Sequence, residues 1–296
     1  MLEIMKESYG IFRRNLITLA GWQFLQIICV SIILFIFLAL LFAFLLILGV
    51  SLPSFAERGF DLVTALSGAF TGIGIILIIL LFTCFIFLSF AITGFFNTGL
   101  VGLCLNAIRG NEISIGTGIE FGKKFWITGA LATFLYTLIT GIPGWIGDIF
   151  QYLLRDSYEI LGVILSLFLA LASLIISFFL LYYIQSIVID EKNAIRCLIQ
   201  SASFVKNNLA NAFVLIVLII LIAILGFIVI STPFGVIAAL LYLISRGSEI
   251  LAGISAIVII LGIILYFLIL MIYSILFGVY YYVTLTNFYL KFKEKS

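Results

Sequence analysis

Some residues of this chain could bind or transform a ligand, but most catalytic arrangements are excluded by composition. The sequence contains no histidine among 296 residues, which excludes Ser-His-Asp triads, histidine-ligated zinc and histidine proton relays. The four cysteines form no C-x-x-C pair, and we interpret them as buried small hydrophobic residues rather than metal ligands. No Walker A motif occurs. We therefore expect a protein that is not an enzyme and that holds no metal and no cofactor.

Three arginines are the sharpest candidates for ligand contact: Arg58, Arg155 and Arg246. An acidic residue follows each of them after three or four positions. Three guanidinium groups brought together could bind a phosphate or carboxylate headgroup through paired hydrogen bonds. The alternative is that each arginine pairs with its own acid and marks the membrane interface.

These arginines lie in connections between segments that are predicted to be membrane-spanning helices. Mean hydropathy is +1.39, 65% of residues are hydrophobic and only 9% are charged, whereas about a quarter of a soluble domain is charged. Apolar runs longer than about 18 residues recur and are apolar on every side, which indicates helices rather than barrel strands. We predict one all-α, polytopic membrane domain over residues 1–296. Its six spans are predicted at 22–50, 70–105, 126–142, 160–187, 210–231 and 251–286.

The basic residues predict the orientation of these spans. Twelve of fifteen lie at the two ends of the chain or in alternate connections, and this asymmetry predicts a multi-pass plasma-membrane protein with both termini in the cytoplasm. We expect the cytoplasmic basic segments to contact membrane lipids of the inner leaflet, and docking of a cytoplasmic protein partner is the alternative. A net charge of +2 gives little support for nucleic-acid binding. The candidate contact residues are Arg13, Arg14, Lys123, Lys124, Arg196 and Lys206.

An internal repeat is indicated by the prolines and by three similar polar segments. Pro53, Pro143 and Pro233 are each 90 residues from the next. The segments IFRRNLIT, FGKKFWIT and FVKNNLAN precede the first, third and fifth spans. We predict three units, at 1–110, 111–190 and 191–296. Each would contain an interfacial helix, a span, an outer turn with the proline and a returning span.

The interfacial helices are predicted from residue spacing. In NAIRCLIQSASFVKNNL, apolar residues including Ile195, Leu198, Val205 and Leu209 recur every three or four positions, while the basic residues lie elsewhere. In ISIGTGIEFGKKFW, Ser114 is a candidate N-cap. Such helices are expected to lie in the plane of the membrane.

A few polar and small residues inside the spans have two interpretations. Close helix packing is the expected role of Gly94, Gly99 and Gly102, with a cofactor site as the alternative. For the polar positions we favour hydrogen bonds between helices over ligand contact. These polar positions are Asn97, Thr98, Gln185 and Ser186.

Three stretches, SYGIFRRNL, LNAIRGNEISIG and VIDEKNAIRCLIQSASFVKNNLANAF, carry a resemblance to a known family. They resemble the membrane domain that occurs fused to bacterial glycerophosphodiester phosphodiesterases and also as a free-standing membrane protein. The resemblance implies a six-helix membrane bundle with interfacial helices. It implies no catalysis, because the phosphodiesterase activity belongs to a separate soluble domain.

Two functions remain open at this point. The first is a non-enzymatic scaffold or lipid-interacting accessory protein of the membrane. The second is a permease-like transport subunit for an apolar or lipid substrate that works with a separate ATPase.

Overall fold

The computed structural model describes residues 1–47, 72–154, 158–245 and 249–293, and the regular elements in these ranges are helices. They are α1 Leu2–Arg14, α2 Leu16–Ile47, α3 Gly72–Ile108, α4 Ile115–Leu153, α5 Glu159–Phe179, α6 Tyr183–Asp190, α7 Ala194–Asn207, α8 Leu209–Ser245 and α9 Glu249–Lys293.

Six stretches are long and apolar enough to cross a membrane, as the hydropathy predicts: Leu16–Phe44, Ile76–Ile108, Ile115–Leu153, Glu159–Asp190, Leu209–Leu243 and Ala256–Lys293. The prediction of an all-helical multi-pass membrane protein is confirmed.

The third stretch differs from the predicted span 126–142 because its helix begins before the membrane segment. Ser114 is the N-cap, as predicted, and its Oγ accepts a hydrogen bond of 3.3 Å from the Thr117 N–H. From this cap α4 continues without interruption into the span. The predicted interfacial helix and the third span are therefore one element.

The prediction that the prolines mark turns is wrong for two of them. Pro143 lies inside α4 and Pro233 lies inside α8, while Pro53 falls outside the described residues. Proline removes one backbone donor, and in membranes hydroxyl groups commonly satisfy the carbonyls around it. Near Pro143 the Ser173 hydroxyl of α5 donates to the Thr140 carbonyl of α4.

The tightest helix pair is formed by α3 and α4, through glycines. A Cβ on Gly94 would lie 2.3 Å from the Ala130 backbone nitrogen, and one on Gly99 would lie 2.7 Å from the Gly118 carbonyl oxygen. A Cβ on Gly102 would lie 2.2 Å from the Phe121 ring. These contacts confirm the predicted packing role of the three α3 glycines.

Side-chain burial is concentrated near one end of the bundle, which contains α1, α6, α7 and the C-terminal turns of α3 and α9. We call it the basic end, because the basic residues of those segments lie there. Trp22 is completely buried in this region, and its indole N–H donates to the Phe96 carbonyl over 2.9 Å. Towards the opposite end, large apolar side chains are exposed on all six spans. Such surface suits lipid tails, which are as apolar as leucine.

Candidate functional site at the basic end of the bundle

Two asparagines end helices directly before the first and fifth membrane stretches. The side-chain amide of Asn15 donates to the Ile11 carbonyl over 3.0 Å, and that of Asn208 donates to the Phe204 carbonyl over 3.1 Å. The backbone N–H of each asparagine donates to the same carbonyl. These asparagines end α1 and α7, and the next helices begin at the following residue. Phe125 stands at the aligned position of the FGKKFWIT segment, and α4 runs through it unbroken.

The six basic residues singled out by sequence are all exposed at this end: Arg13, Arg14, Lys123, Lys124, Arg196 and Lys206. Two of them have partners within the protein. The Arg14 guanidinium donates to the Ala107 carbonyl over 3.4 Å, and the Lys124 ammonium lies 2.5 Å from a Glu191 carboxylate oxygen. The remaining four therefore offer the better positions for contact with an external anion.

Ion pairs connect segments that are far apart in sequence. Lys291 of α9 pairs with Glu7 of α1, and Lys293 pairs with Asp190 at the end of α6. Pairs as exposed as Lys291–Glu7 contribute at most about 1 kcal/mol each. Their structural consequence is that the C-terminal turns of α9 are tied to both α1 and the end of the fourth membrane stretch.

Asp190 is the most buried member of these pairs, with 4% of its side chain exposed. One of its carboxylate oxygens also accepts a 2.6 Å hydrogen bond from the hydroxyl of Tyr289, which is itself completely buried. The carboxylate thus has both a cation and a hydroxyl donor. We assign it a structural role at the junction of α6 and α9.

The fourth membrane stretch is broken near the basic end, and α7 fills the break. Helix α5 ends at Phe179 and α6 begins at Tyr183. Ser201, completely buried on α7, accepts a 2.9 Å hydrogen bond from the Tyr182 N–H and donates a 3.0 Å bond to the Phe179 carbonyl. One hydroxyl therefore satisfies a donor and an acceptor that the helix break leaves without helical partners.

Several buried polar atoms near the break have no hydrogen-bond partner, namely Tyr182 Oη, Gln185 Oε1 and Thr286 Oγ1. Gln185 and Ser186, flagged by the sequence, are both almost fully buried. Thr98, also flagged, donates to the Gly94 carbonyl of its own helix over 2.8 Å instead of reaching another helix. Buried polar atoms without partners are uncommon and often mark a functional position.

The three arginines predicted to bind a headgroup, Arg58, Arg155 and Arg246, lie outside the described residues. Their convergence stays a prediction. Within the ranges that are described, no group of three or more Cys, Asp or Glu side chains could hold a metal ion.

Sequence reasoning missed Ser201 and Asp190. A signal for Ser201 was present, since Ser8 and Ser201 each lie three residues before an aligned position, Ile11 and Phe204. Both serines are completely buried. A small polar residue on the buried face of α7 was therefore readable from the similar segments.

Comparison with known proteins adds a family but no activity. Residues 82–292 match a family described as a domain of unknown function, DUF7847. The chain belongs to the DUF7847 family. No curated protein and no solved structure matches it. The DUF7847 match begins inside α3 and ends inside α9, so it includes Asp190, Ser201 and the break in the fourth stretch. The family match does not link the chain to the membrane domain of glycerophosphodiester phosphodiesterases.

Proposed function

We propose that this DUF7847 protein is a non-enzymatic integral membrane protein that acts as a scaffold or lipid-interacting accessory. In this proposal it lies in the plasma membrane with its basic end and both termini on the cytoplasmic side. The observation that carries the proposal is a set of three exposed basic residues at aligned positions, Arg13, Lys123 and Lys206. Arg13 and Lys206 stand three residues before the membrane stretches that begin at Leu16 and Leu209, and Lys123 stands at the aligned position of the continuous helix α4. Basic side chains at that level attract anionic headgroups.

The proposal includes the predicted three-unit organisation, 1–110, 111–190 and 191–296. Its support is a contact that recurs between an interfacial segment and the second span of another unit. Ser201 bonds to Phe179 and Tyr182, and Gly118 lies against Gly99.

The first unit would make the same kind of contact with the third. The Asn287 side-chain amide of α9 donates to the Ser8 hydroxyl of α1 over 3.2 Å. Ser8, Gly118 and Ser201 occupy aligned positions, so the units would follow one another in a closed cyclic order. In this proposal, the protein shares its helical architecture, and no catalytic activity, with the membrane domain that occurs fused to glycerophosphodiester phosphodiesterases.

A scaffold role is supported by the packing near the basic end. Large side chains such as Trp22, Tyr182, Phe288 and Tyr289 are completely buried there. A subunit that carries a substrate would need a continuous path between its helices through this region.

One observation favours the second candidate, a permease-like subunit working with a separate ATPase. The broken fourth stretch carries Tyr182 and Gln185, whose buried polar atoms have no partner. Broken helices with free polar groups form substrate sites in many transporters. A cytoplasmic protein partner would then contact the basic end.

The lipid role is tested by thermal unfolding of the purified protein with added phosphatidylglycerol or phosphatidylcholine. We expect phosphatidylglycerol to raise Tm more than phosphatidylcholine. The triple variant Arg13→Gln, Lys123→Gln and Lys206→Gln should lose most of that difference, because each basic residue near an anionic surface contributes about 1 kcal/mol.

The matched control removes three exposed acids from the same end, with Glu3→Gln, Glu112→Gln and Glu120→Gln. This variant should keep the preference for phosphatidylglycerol. An equal response of the wild type to both lipids would contradict the proposed function.

A further inference from the structure

The helix α7 has two dissimilar faces. The buried face, which includes Cys197 and Ser201, packs against α4, α5 and α6, and its Phe204 contacts Phe288 and Tyr289 of α9. On the exposed face, Ile195 and Ile199 lie one helical turn apart and are 65% and 64% exposed. No side chain among the described residues covers these two apolar groups, which together form a small apolar surface open to a ligand.

Charge distinguishes this face from those of the other interfacial segments. The exposed side of α1 carries Glu3 and Glu7, and the first turns of α4 carry Glu120. Between Ala194 and Asn207 there is no acidic residue, and the exposed basic side chains are Arg196 and Lys206. The exposed face of α7 therefore combines apolar, uncharged polar and positively charged groups and carries no acidic group, which is complementary to an anionic amphiphile.

The occupant is more consistent with a lipid than with a protein helix. Helix-in-groove docking uses a longer series of apolar anchors at i, i+3, i+4 and i+7. After Ile195 and Ile199 the exposed positions of α7 are Ser203, Lys206 and Asn207, which offer no further anchor. The next membrane stretch begins at Leu209, directly after the Asn208 break. The end of α7 is therefore fixed at the membrane surface.

The opposite face of the same helix reaches the break in the fourth stretch. Ser201 bonds to both Phe179 and Tyr182 across that break. Anything that holds α7 against the bundle also holds these two hydrogen bonds. Release of α7 would leave a buried carbonyl and a buried N–H without partners, which is costly in a membrane.

We propose that the exposed face of α7 binds an anionic phospholipid, with Ile195 and Ile199 at the acyl boundary and Arg196 at the headgroup, and that this lipid keeps Ser201 seated in the break of the fourth membrane stretch. This inference rests on the proposed function, since it assigns one anionic lipid contact to one helix and gives it a structural consequence.

Hydrogen–deuterium exchange of the full chain tests it, in nanodiscs of phosphatidylcholine alone and of phosphatidylcholine mixed with phosphatidylglycerol. We expect the anionic lipid to slow amide exchange in α7 and at residues 180–183 by about tenfold, the order expected from a few basic contacts to an anionic surface. The double variant Arg196→Gln and Ile199→Gln should lose this protection in both segments. The response of α1 around Arg13 should persist in the variant.

The outcomes separate the two proposals. Slowed exchange in α1 without any change in α7 or at 180–183 would overturn this inference and leave the proposed lipid role standing. No response in any segment would overturn both. The wild-type comparison alone decides these cases, so the test holds even if the double variant does not fold.

Discussion

Ser201 shows how one small side chain can determine the path of a membrane stretch. Its hydroxyl replaces two helical hydrogen bonds at the break between Phe179 and Tyr183, so the chain can turn there without leaving buried backbone groups unsatisfied. Asn15 and Asn208 act in a related way where the chain enters the first and fifth stretches. In all three cases, a polar side chain forms a hydrogen bond with a backbone group where a helix ends.

Replacing Ser201→Ala should destabilise the protein by about 1–3 kcal/mol, the usual cost of leaving buried hydrogen-bonding groups without a partner. The free energy of unfolding in a denaturing detergent series measures this loss. Ser203→Ala is the matched control, because Ser203 is exposed on the same helix. Equal stability of the two variants would contradict the assigned role of Ser201.

Cys197 should be unreactive while the protein is folded. Burial raises the pKa of its thiol to about 12, and the side chain is completely buried on the inner face of α7. Since the pKa is raised, thiolate is scarce at pH 8 and forms only as the pH approaches that value. We expect maleimide to modify Cys197 only after unfolding, with the site of labelling identified by peptide mass spectrometry.

An exposed thiol on the same helix provides the comparison for this labelling. The variant Ser203→Cys should react rapidly at position 203 in the folded protein. Modification of Cys197 at the same rate as position 203 would show that α7 does not stay packed against the bundle.

At the scale of elements, helix ends were harder to predict from sequence than helix identity. Hydropathy predicted the six apolar stretches, because a lipid environment requires long apolar helices. It did not place Pro143 and Pro233 inside helices, since hydroxyl groups from neighbouring helices, such as Ser173, satisfy the carbonyls around a proline. The sequence also predicted an interfacial helix and a separate third span where the structure has the single helix α4. That helix continues because Phe125 stands where the other two segments have an asparagine.

The amphipathic pattern of α7 was only partly readable, for a related reason. Of the apolar residues in that pattern, Leu198 and Val205 are buried in the protein, whereas Ile195 and Leu209 are exposed. The buried face also includes Cys197, Ser201 and Phe204, because α7 packs against α4 and the broken fourth stretch. Spacing in one segment carries no information about the shape of its partner.

The contact between α3 and α4 depends on the absence of side chains. In Gly94→Ala, the new Cβ would lie 2.3 Å from the Ala130 backbone nitrogen, so the two helices would have to separate. We expect a loss of about 1–3 kcal/mol in unfolding free energy, the typical cost of overpacking.

The control for this substitution is Gly278→Ala on α9, where no heavy atom lies within 4 Å of the new Cβ. This variant should keep stability or raise it by up to about 1 kcal/mol, because alanine favours a helix interior over glycine. Equal stability of the two glycine variants would refute the close contact between α3 and α4.

At the scale of the whole molecule, packing and charge are both concentrated at one end. The termini and the alternate connections that the positive charges identify carry twelve basic and seven acidic residues, and the other connections carry three and six. The buried clusters and the cross-linking ion pairs lie at the basic end as well. The sequence could predict the charge asymmetry, but contacts such as Lys291–Glu7 depend on the three-dimensional arrangement of distant segments.

Native mass spectrometry of the protein, gently released from its source membrane, tests the central claim most directly. A lipid-interacting scaffold should carry anionic phospholipid through mild activation, and the triple variant at Arg13, Lys123 and Lys206 should carry less of it. A stoichiometric soluble partner with bound nucleotide, on a chain that retains no anionic lipid, would contradict this account and favour the permease-like subunit.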